Sequence, residues 1–388
     1  MKLLERVHAI LDSVIGSGET VYVAYSGGKD STALSVLLYD WILRRERWDV
    51  GVVLVNSDTL SEIPEMREWT ISFMKQYVEK LKKHGVEASY SVFTPKPEDT
   101  FYWRALIRGY PAPTFKHRWC VELLKRRPAM QIIRSAGSVM LLGHRDEESS
   151  ARSKSLSSKT GFCPLSAGRC ASYYLQLESD SWRVYPIREL RELEVWKLLE
   201  HYGNEFDLDK LFELYGYGAV KARYGCWHCT LVRRQLAHYI LGRDHLYYEA
   251  VRLIYRWISD VPELRAVKNR GYSRHGYLVP EARSLLLHAF RVAEELSGVR
   301  LYGLDEARVK GYTLREILYE LEPSEANRVV LEVERDYVDK SRLSKLEELR
   351  YPRKTAMLSI VDKLEAAAKN SDIEDLVMNV LSEVVKLI

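Results

Sequence analysis

The chain has 388 residues, 46% of them hydrophobic, which is enough for two or more packed domains. Charged residues make up 29% and no low-complexity tract appears, so a mainly disordered chain is excluded. The net charge of +4 is unevenly placed: +3 over residues 1–230, +5 over 231–280 and −4 over 281–388, so the middle stretch is the one whose charge can mark a polyanion-binding face.

In chain order, "MKLLERVHAILDSVIGSGE" alternates charge with apolar residues and predicts an amphipathic helix over 3–15, with no uninterrupted apolar leader. "TVYVAY" reads as a strand and "DSTALSVLLYDWILRR" as a helix. "VGVVLVNSD" is an apolar run without alternation, as expected of a parallel strand buried on both faces. Its core, Val50–Val55, is too short to span a bilayer, so a soluble, cytoplasmic protein with no membrane partner is expected. "IPEMREWTISFMKQYVEKLKKHG" is a long helix, with Pro64 at its start and Gly85 after its end. "EASYSVFTP" and "SVMLLGHR" add two more strands. This alternation predicts an α/β fold, a doubly wound parallel sheet with ligands beyond the carboxyl ends of its strands. Residues 146–181 read as loop, and "WRVYPIRELRELEVWKLLEHYG" restores a strand and a helix. A first domain, residues 1–230, closes at "YGYGAVKARYGCWHCTLVRR". Residues 231–388 form a second, mostly helical domain, with helices predicted at 231–241, 244–258, 281–297, 313–321, 325–349, 355–369 and 372–387.

"SGGKDS" (Ser26–Ser31) stands where the first strand becomes a helix. Gly27 and Gly28 allow close backbone approach to a ligand, and amides at a helix start favour an anion such as phosphate. Lys29 adds positive charge, and Ser26 and Ser31 add hydroxyl donors. Asp30 facing a phosphate would repel it, which points to a cap or a metal ligand. The plainer alternative, a capped strand–helix turn, explains the glycines but not Lys29 together with both serines. The GxxxxGK[ST] spacing of a Walker A loop is absent.

Further polar segments leave predicted strand ends. Asp58 and Thr59 follow the second strand and would lie near a nucleotide, though Ser61 and Pro64 also suit a helix cap. Arg118, Lys125, Arg126 and Arg127 crowd around Cys120, which suits a polyphosphate or sulfonucleotide. Gly143, Arg145, Glu148 and Arg152 follow the fourth strand; Glu148 and Arg152 also fit a simple i,i+4 helix pair.

The order of these motifs over residues 20–235 resembles the phosphoadenylyl-sulfate (PAPS) reductase-like family of the adenine-nucleotide α-hydrolase, or PP-loop ATP pyrophosphatase, superfamily, which has a Rossmann-like fold. The motifs are SGGxDS, D-T after the second strand, R-W-C…L-K…P, and G-x-R-x-x-E-S-x-x-R. "SDTLSEIP", "GYPAPTFKHRWC" and "GCWHCT" are closest to its DNA-phosphorothioation branch. The resemblance implies ATP with Mg²⁺ on the loop. It implies catalytic roles for Lys29, Asp30, Arg145 and Glu148, and nucleotide contacts from Ser26, Gly27, Gly28, Ser31, Asp58, Thr59, Arg118, Lys125, Gly143 and Arg152. Two features weigh against an actual PAPS reductase: the loop is intact, as in enzymes that take ATP, and no cysteine follows Cys229.

The cysteines are Cys120, Cys163, Cys170, Cys226 and Cys229. An odd number here argues against a disulfide framework and leaves metal or redox chemistry open. "GCWHC" reads as a CxxC turn entering a helix, which is compatible with a redox pair, a zinc site or an iron–sulfur site. By the resemblance, Cys120, Cys226 and Cys229 hold a [4Fe–4S] cluster, with Cys163 or Cys170 as a fourth ligand or one iron left open; zinc is the alternative, and three unligated thiols the plainer one. The relatives' extra cysteines beside the CxxC are replaced here by Tyr217, Tyr224, Thr230 and Arg233.

In the second half, residues 244–258 fit an amphipathic helix with Tyr247, Val251, Ile254 and Trp257 inward, and "AVKNRGYSRHGY" fits a loop contacting nucleic acid or nucleotide. The acidic last third reads as a packing or homo-oligomerisation unit. The expected function is an ATP pyrophosphatase that adenylates a nucleic-acid acceptor, DNA or tRNA, for sulfur transfer, with a sulfur-donor protein as partner. The rivals are a sulfonucleotide reductase and a non-catalytic nucleotide-binding module with structural zinc.

Overall fold

The computed structural model describes residues 2–127, 139–148, 154, 175–178, 181–218, 222–267, 275–335 and 346–388. The chain divides into two compact units. One comprises Met1–Asp58, Glu65–Phe93 and Arg126–Lys221; the other Thr59–Pro64, Thr94–Lys125 and Ala222–Ile388. A boundary near residue 230 therefore follows the chain but not the fold, which gives two early segments to the second unit.

The first unit is built on a six-stranded sheet in the order β3-β2-β1-β4-β6-β5. The strands are β1 (Thr20–Ala24), β2 (Gly51–Ser57), β3 (Ala88–Phe93), β4 (Val139–Leu142), β5 (Leu175–Glu178) and β6 (Ser181–Val184). Five run parallel, and β5 pairs antiparallel with β6. In the centre, Val21 and Val23 of β1 register with Val52 and Leu54 of β2, all buried. These β-branched and aliphatic runs lack polar alternation because helices cover both faces of a parallel sheet. The helices are α1 (Lys2–Val14), α2 (Lys29–Arg44), α3 (Pro64–Lys83), α4 (Glu192–His201) and α5 (Asp209–Leu214). α2 is buried from Ser31 to Ile42. α3 ends where Gly85 takes a left-handed φ of 79°. Because β1 lies between β2 and β4, the strand order reverses beside it, and the carboxyl ends of β1 and β4 form the crevice that such sheets use for ligands.

The second unit is mainly helical: α6 (Leu236–Leu241), α7 (Arg243–Asp260), α8 (Pro280–Ser297), α9 (Pro323–Glu334), α10 (Lys354–Ala368) and α11 (Glu374–Leu387). Its core gathers Phe101, Trp227, Tyr248 and Phe290 in edge and stacked contacts. Tyr247, Val251 and Ile254 of α7 are buried, in line with the amphipathic reading of that segment, whereas Trp257 is half-buried.

Several local expectations change. The 231–241 helix begins only at Leu236, so the CxxC lies in irregular chain ahead of it. The 266–277 loop has paired arms, Arg265–Val267 and His275–Leu278, with 268–274 outside the described residues. The 313–321 helix is a π-helical turn over Glu316–Glu320, entered from a two-residue strand in which Thr313 bonds to Glu316. The 325–349 helix is described as Pro323–Glu334 and Leu346–Arg350, with 336–345 outside the described residues. Most of the 146–181 loop also lies outside them, and its described end holds β5 and the start of β6. No helix among the described residues is long and apolar enough to cross a membrane.

Candidate functional site

The Ser26–Ser31 loop leaves the carboxyl end of β1 and opens α2. Gly27 takes a left-handed φ of 77°, and a Cβ there would stand 1.9 Å from Thr70 Oγ1 of α3. The loop is thus pressed on α3, and the Trp69 indole donates to the Gly27 carbonyl at 2.9 Å. Gly28 is the N-cap of α2 and supplies no side-chain cap, so the first-turn amides, which lack acceptors within the helix, lie open to an anion. The Ser31 hydroxyl donates back to the Gly28 carbonyl at 2.9 Å and meets the Ser26 amide and hydroxyl at 3.2 Å. These bonds tie the two ends of the loop together. Gly143, just past β4, allows equally close approach: a Cβ there would lie 3.1 Å from the Asp30 carbonyl and the Ser31 amide.

The charges beside the loop form a network. Arg145 is 1% exposed. It donates to Asp30 Oδ1 at 2.6 Å, to Glu192 Oε2 at 2.5 Å, to Glu147 Oε2 at 3.2 Å and to the Leu190 carbonyl at 3.1 Å. Lys29 Nζ lies 3.4 Å from Glu192 Oε1, 3.5 Å from Asp30 Oδ2 and 5.3 Å above the Tyr215 ring. Burial alone would raise the Glu192 pKa, but Lys29 and Arg145 outweigh it and hold this carboxyl below its usual range. Asp30 is therefore a partner of Arg145, not a helix cap, and Arg145 acts through carboxylates. Glu192 was not singled out in the sequence, although "RELRELEVW" puts it at the first position of α4, where a carboxylate also suits the helix dipole. Tyr215 was missed too; its hydroxyl would touch a Cβ at Gly28 at 3.3 Å.

Asp58, 3% exposed, pairs with Arg67 at 2.8 Å. Glu148 ends the 3₁₀ turn Asp146–Glu148, and Arg152 lies outside the described residues. Thr59 falls in the second unit together with Arg118, Cys120 and Lys125. Arg118 is exposed and stacks on Phe115.

In the second unit, Glu62 and Cys226 form an antiparallel bridge, and the Trp227 amide donates to the Ser61 carbonyl at 2.9 Å. Glu62 Oε2 accepts from the Thr59 amide at 2.9 Å and from the Thr59 hydroxyl at 2.6 Å. Thr59 Oγ1 also lies 3.3 Å from Cys226 Sγ. Its one proton goes to Glu62, so the Cys226 thiol is the donor to Thr59. Burial, then the Glu62 charge, push the Cys226 pKa up and keep it a thiol. Burial and nearby Cys229 push Cys120 up to about 11. Desolvation works against the Lys125 charge, and the nearby Glu62 carboxylate works for it and raises the pKa. Behind this segment, Arg252 is fully buried against Glu249 and donates to the carbonyls of Cys229, Val232 and Arg233 at 2.9–3.2 Å.

Cys120, Cys226 and Cys229 thus share one unit and one electrostatic environment as free thiols. Their chemistry suits zinc or an iron–sulfur cluster. Among the described residues, however, no three His, Cys, Asp or Glu side chains are arranged to hold a metal ion, and Cys226 is engaged by Thr59. Within the described residues the three thiols do not by themselves make a closed metal site. Cys163 and Cys170 lie outside the described residues.

Residues 20–232 match the family described as the phosphoadenosine phosphosulfate reductase domain. The chain belongs to this family. No curated protein matches the chain. Among solved structures, it is similar to the PAPS reductase from Candida auris in its phosphate complex, at 17% identity over 58% of this chain and 90% of that one, with a TM-score of 0.33. It is also similar to the U34-tRNA thiolase NcsA from Methanococcus maripaludis with its [4Fe-4S] cluster, at 13% identity over 69% and 83% of the two chains, with a TM-score of 0.33.

Proposed function

We propose that this PAPS reductase-domain protein is an ATP pyrophosphatase that adenylates an acceptor, nucleic acid, for sulfur transfer. The observation that carries the reading is the preformed loop, with an uncapped helix start, two close-approach glycines and Lys29 beside it. Such a loop suits a leaving group with two phosphates. The acceptor oxygen attacks the α-phosphate of ATP, the bond to the β-phosphate breaks, and the α2 amides with Lys29 receive the charge that develops on pyrophosphate. Lys29 exchanges Glu192 and Asp30 for phosphate oxygens, while Arg145 keeps both carboxylates in place as positioning residues. Asp30 and Glu192 are the carboxylates beside the loop that would meet Mg²⁺ carried by the phosphates, and the ion would neutralise phosphate charge there. A sulfur nucleophile supplied by a donor protein then displaces AMP.

The second reading is sulfonucleotide reduction, which the family match over residues 20–232 favours. Product analysis separates the two: pyrophosphate from ATP supports the first, sulfite from PAPS the second, and binding without turnover a nucleotide-sensing module. Lys29→Ala should lower pyrophosphate release by about 10²–10³-fold, the scale for losing one preorganised charge at a transition state. Turnover that survives this change would sink the placement of ATP.

A further inference from the structure

A second feature of the helical unit bears on how the acceptor is held. Residues 111–119 read "PAPTFKHRW". Thr114 and His117 pair across a tight antiparallel turn, with amide–carbonyl bonds of 3.0 and 3.2 Å, and this puts Phe115 and Lys116 at its tip. The base of the turn is anchored on several sides. The Ala112 amide donates to Ser259 Oγ at 2.8 Å, the Trp119 indole to the Pro111 carbonyl at 3.0 Å, and the Thr230 hydroxyl to the Pro113 carbonyl at 2.8 Å. Two prolines stiffen the arm below the tip. The element is a fixed finger rather than a slack loop.

The tip is the opposite of its base. Phe115 is 72% exposed, although burying a phenyl ring stabilises a fold by about 1.5–3 kcal/mol. Lys116, His117 and Arg118 are exposed beside it, and the Arg118 guanidinium lies 5.1 Å from the Phe115 ring centroid, covering one face. Residues 113–121 contain Lys116, His117 and Arg118 but no Asp or Glu. A lone exposed phenylalanine is ordinary on a protein surface. An exposed ring backed by one guanidinium, flanked by a second cation and mounted on an anchored turn is a stacking platform with phosphate contacts on either side.

We propose that this finger binds single-stranded nucleic acid, with Phe115 stacking on an unpaired base and Lys116 and Arg118 meeting the adjoining phosphates. Every base has a π-face, so the platform selects strand state over sequence. The location also suits the acceptor: Thr230, which bonds the base of the finger, directly follows Cys229, and Cys120 lies two residues after Arg118. This inference deepens the reading of the chain as a nucleic-acid-modifying ATP pyrophosphatase and rests on that reading for its purpose, though not for its binding measurement.

The test is anisotropy of short fluorescent oligonucleotides, single-stranded DNA and single-stranded RNA in separate arms, titrated with the full chain at low and high salt. ATP binding is measured in parallel on the same proteins. Phe115→Ala should weaken oligonucleotide binding by about tenfold, with its salt dependence unchanged. Phe115→Trp should preserve it. Lys116→Ala should reduce the slope of log affinity against log salt by about one. A preference for one arm identifies the strand chemistry. Failure of the unmodified chain to bind either strand, or equal binding by Phe115→Ala, overturns the finger. ATP binding without oligonucleotide binding would sink this inference and leave the loop reading standing; the converse would sink the loop reading alone.

Discussion

Behind the candidate chemistry of each unit stands an arginine sealed from solvent, and the two are used differently. Arg145, behind the phosphate loop, grips the side chains of Asp30, Glu147 and Glu192 and a single carbonyl. Arg252, behind the cysteine segment, grips Glu249 and three main-chain carbonyls. Carboxylate side chains can rotate away or trade partners with Lys29, whereas a carbonyl moves only if the backbone does. The first arrangement suits a site whose charges must rearrange when a polyanion enters. The second suits one whose thiols must stay where they are.

The largest expected effect breaks the fixed arrangement. Arg252→Met should destabilise the protein by about 3–5 kcal/mol, because it leaves Glu249 buried and uncompensated. The denaturation midpoint measures the loss, and faster alkylation of Cys229 would locate it in the cysteine segment. If stability fell while alkylation stayed slow, Arg252 would be a general core element rather than a support for that turn. Arg145→Met should cost less, about 2–4 kcal/mol, since Asp30 and Glu192 are in part reached by solvent and Lys29 remains near both. A loss equal to that of Arg252→Met would erase the proposed contrast.

The smallest effect is acid sensitivity of the first unit. Burial alone would raise the Asp40 pKa, but nearby His8, with Nε2 at 3.1 Å, nearby Tyr202 and the Arg44 bond at 2.8 Å pull it down to about 2. A folded pKa below the unfolded value of about 3.9 makes a contribution that is complete above that value. It is lost as pH falls toward 2, because the unfolded chain takes the proton first. After allowing for solvent screening, this amounts to about 1–2 kcal/mol, and Glu192 shifts in the same direction. Stability measured against pH with Asp40→Asn should show a flatter acid limb; an unchanged limb would assign acid lability to other groups.

The two regions also differ in how far they could be read from sequence. The strand–loop–helix at Val21–Leu38 combines a local apolar pattern with local glycine chemistry, so both the element boundaries and the loop were legible. Arg145 could be singled out because it follows a strand end, and the structure sets it against Asp30 of the loop. Its partner Glu192 could not, since 47 residues separate the pair and sequence carries no sign of such a contact. The cysteine segment was legible by residue type alone. That Thr59 bonds to Cys226, 167 positions away, follows from the Ser61–Trp227 and Glu62–Cys226 pairing, which no periodicity announces. The helix expected from 231 starts at Leu236 because the preceding carbonyls turn toward Arg252. The grouping of 59–64 and 94–125 with the helical half is likewise a product of long-range packing.

The contact between Gly27 and Thr70 has a consequence for how the loop can evolve. With 1.9 Å between a Cβ at position 27 and the Thr70 hydroxyl, no side chain enters at 27 unless position 70 loses its own. Any lineage that abandons the glycine must therefore shrink residue 70 in the same step or pass through a misfolded intermediate. The constraint on this loop therefore extends to Thr70 of α3, 43 residues further on, and a substitution there is expected to accompany any change at Gly27.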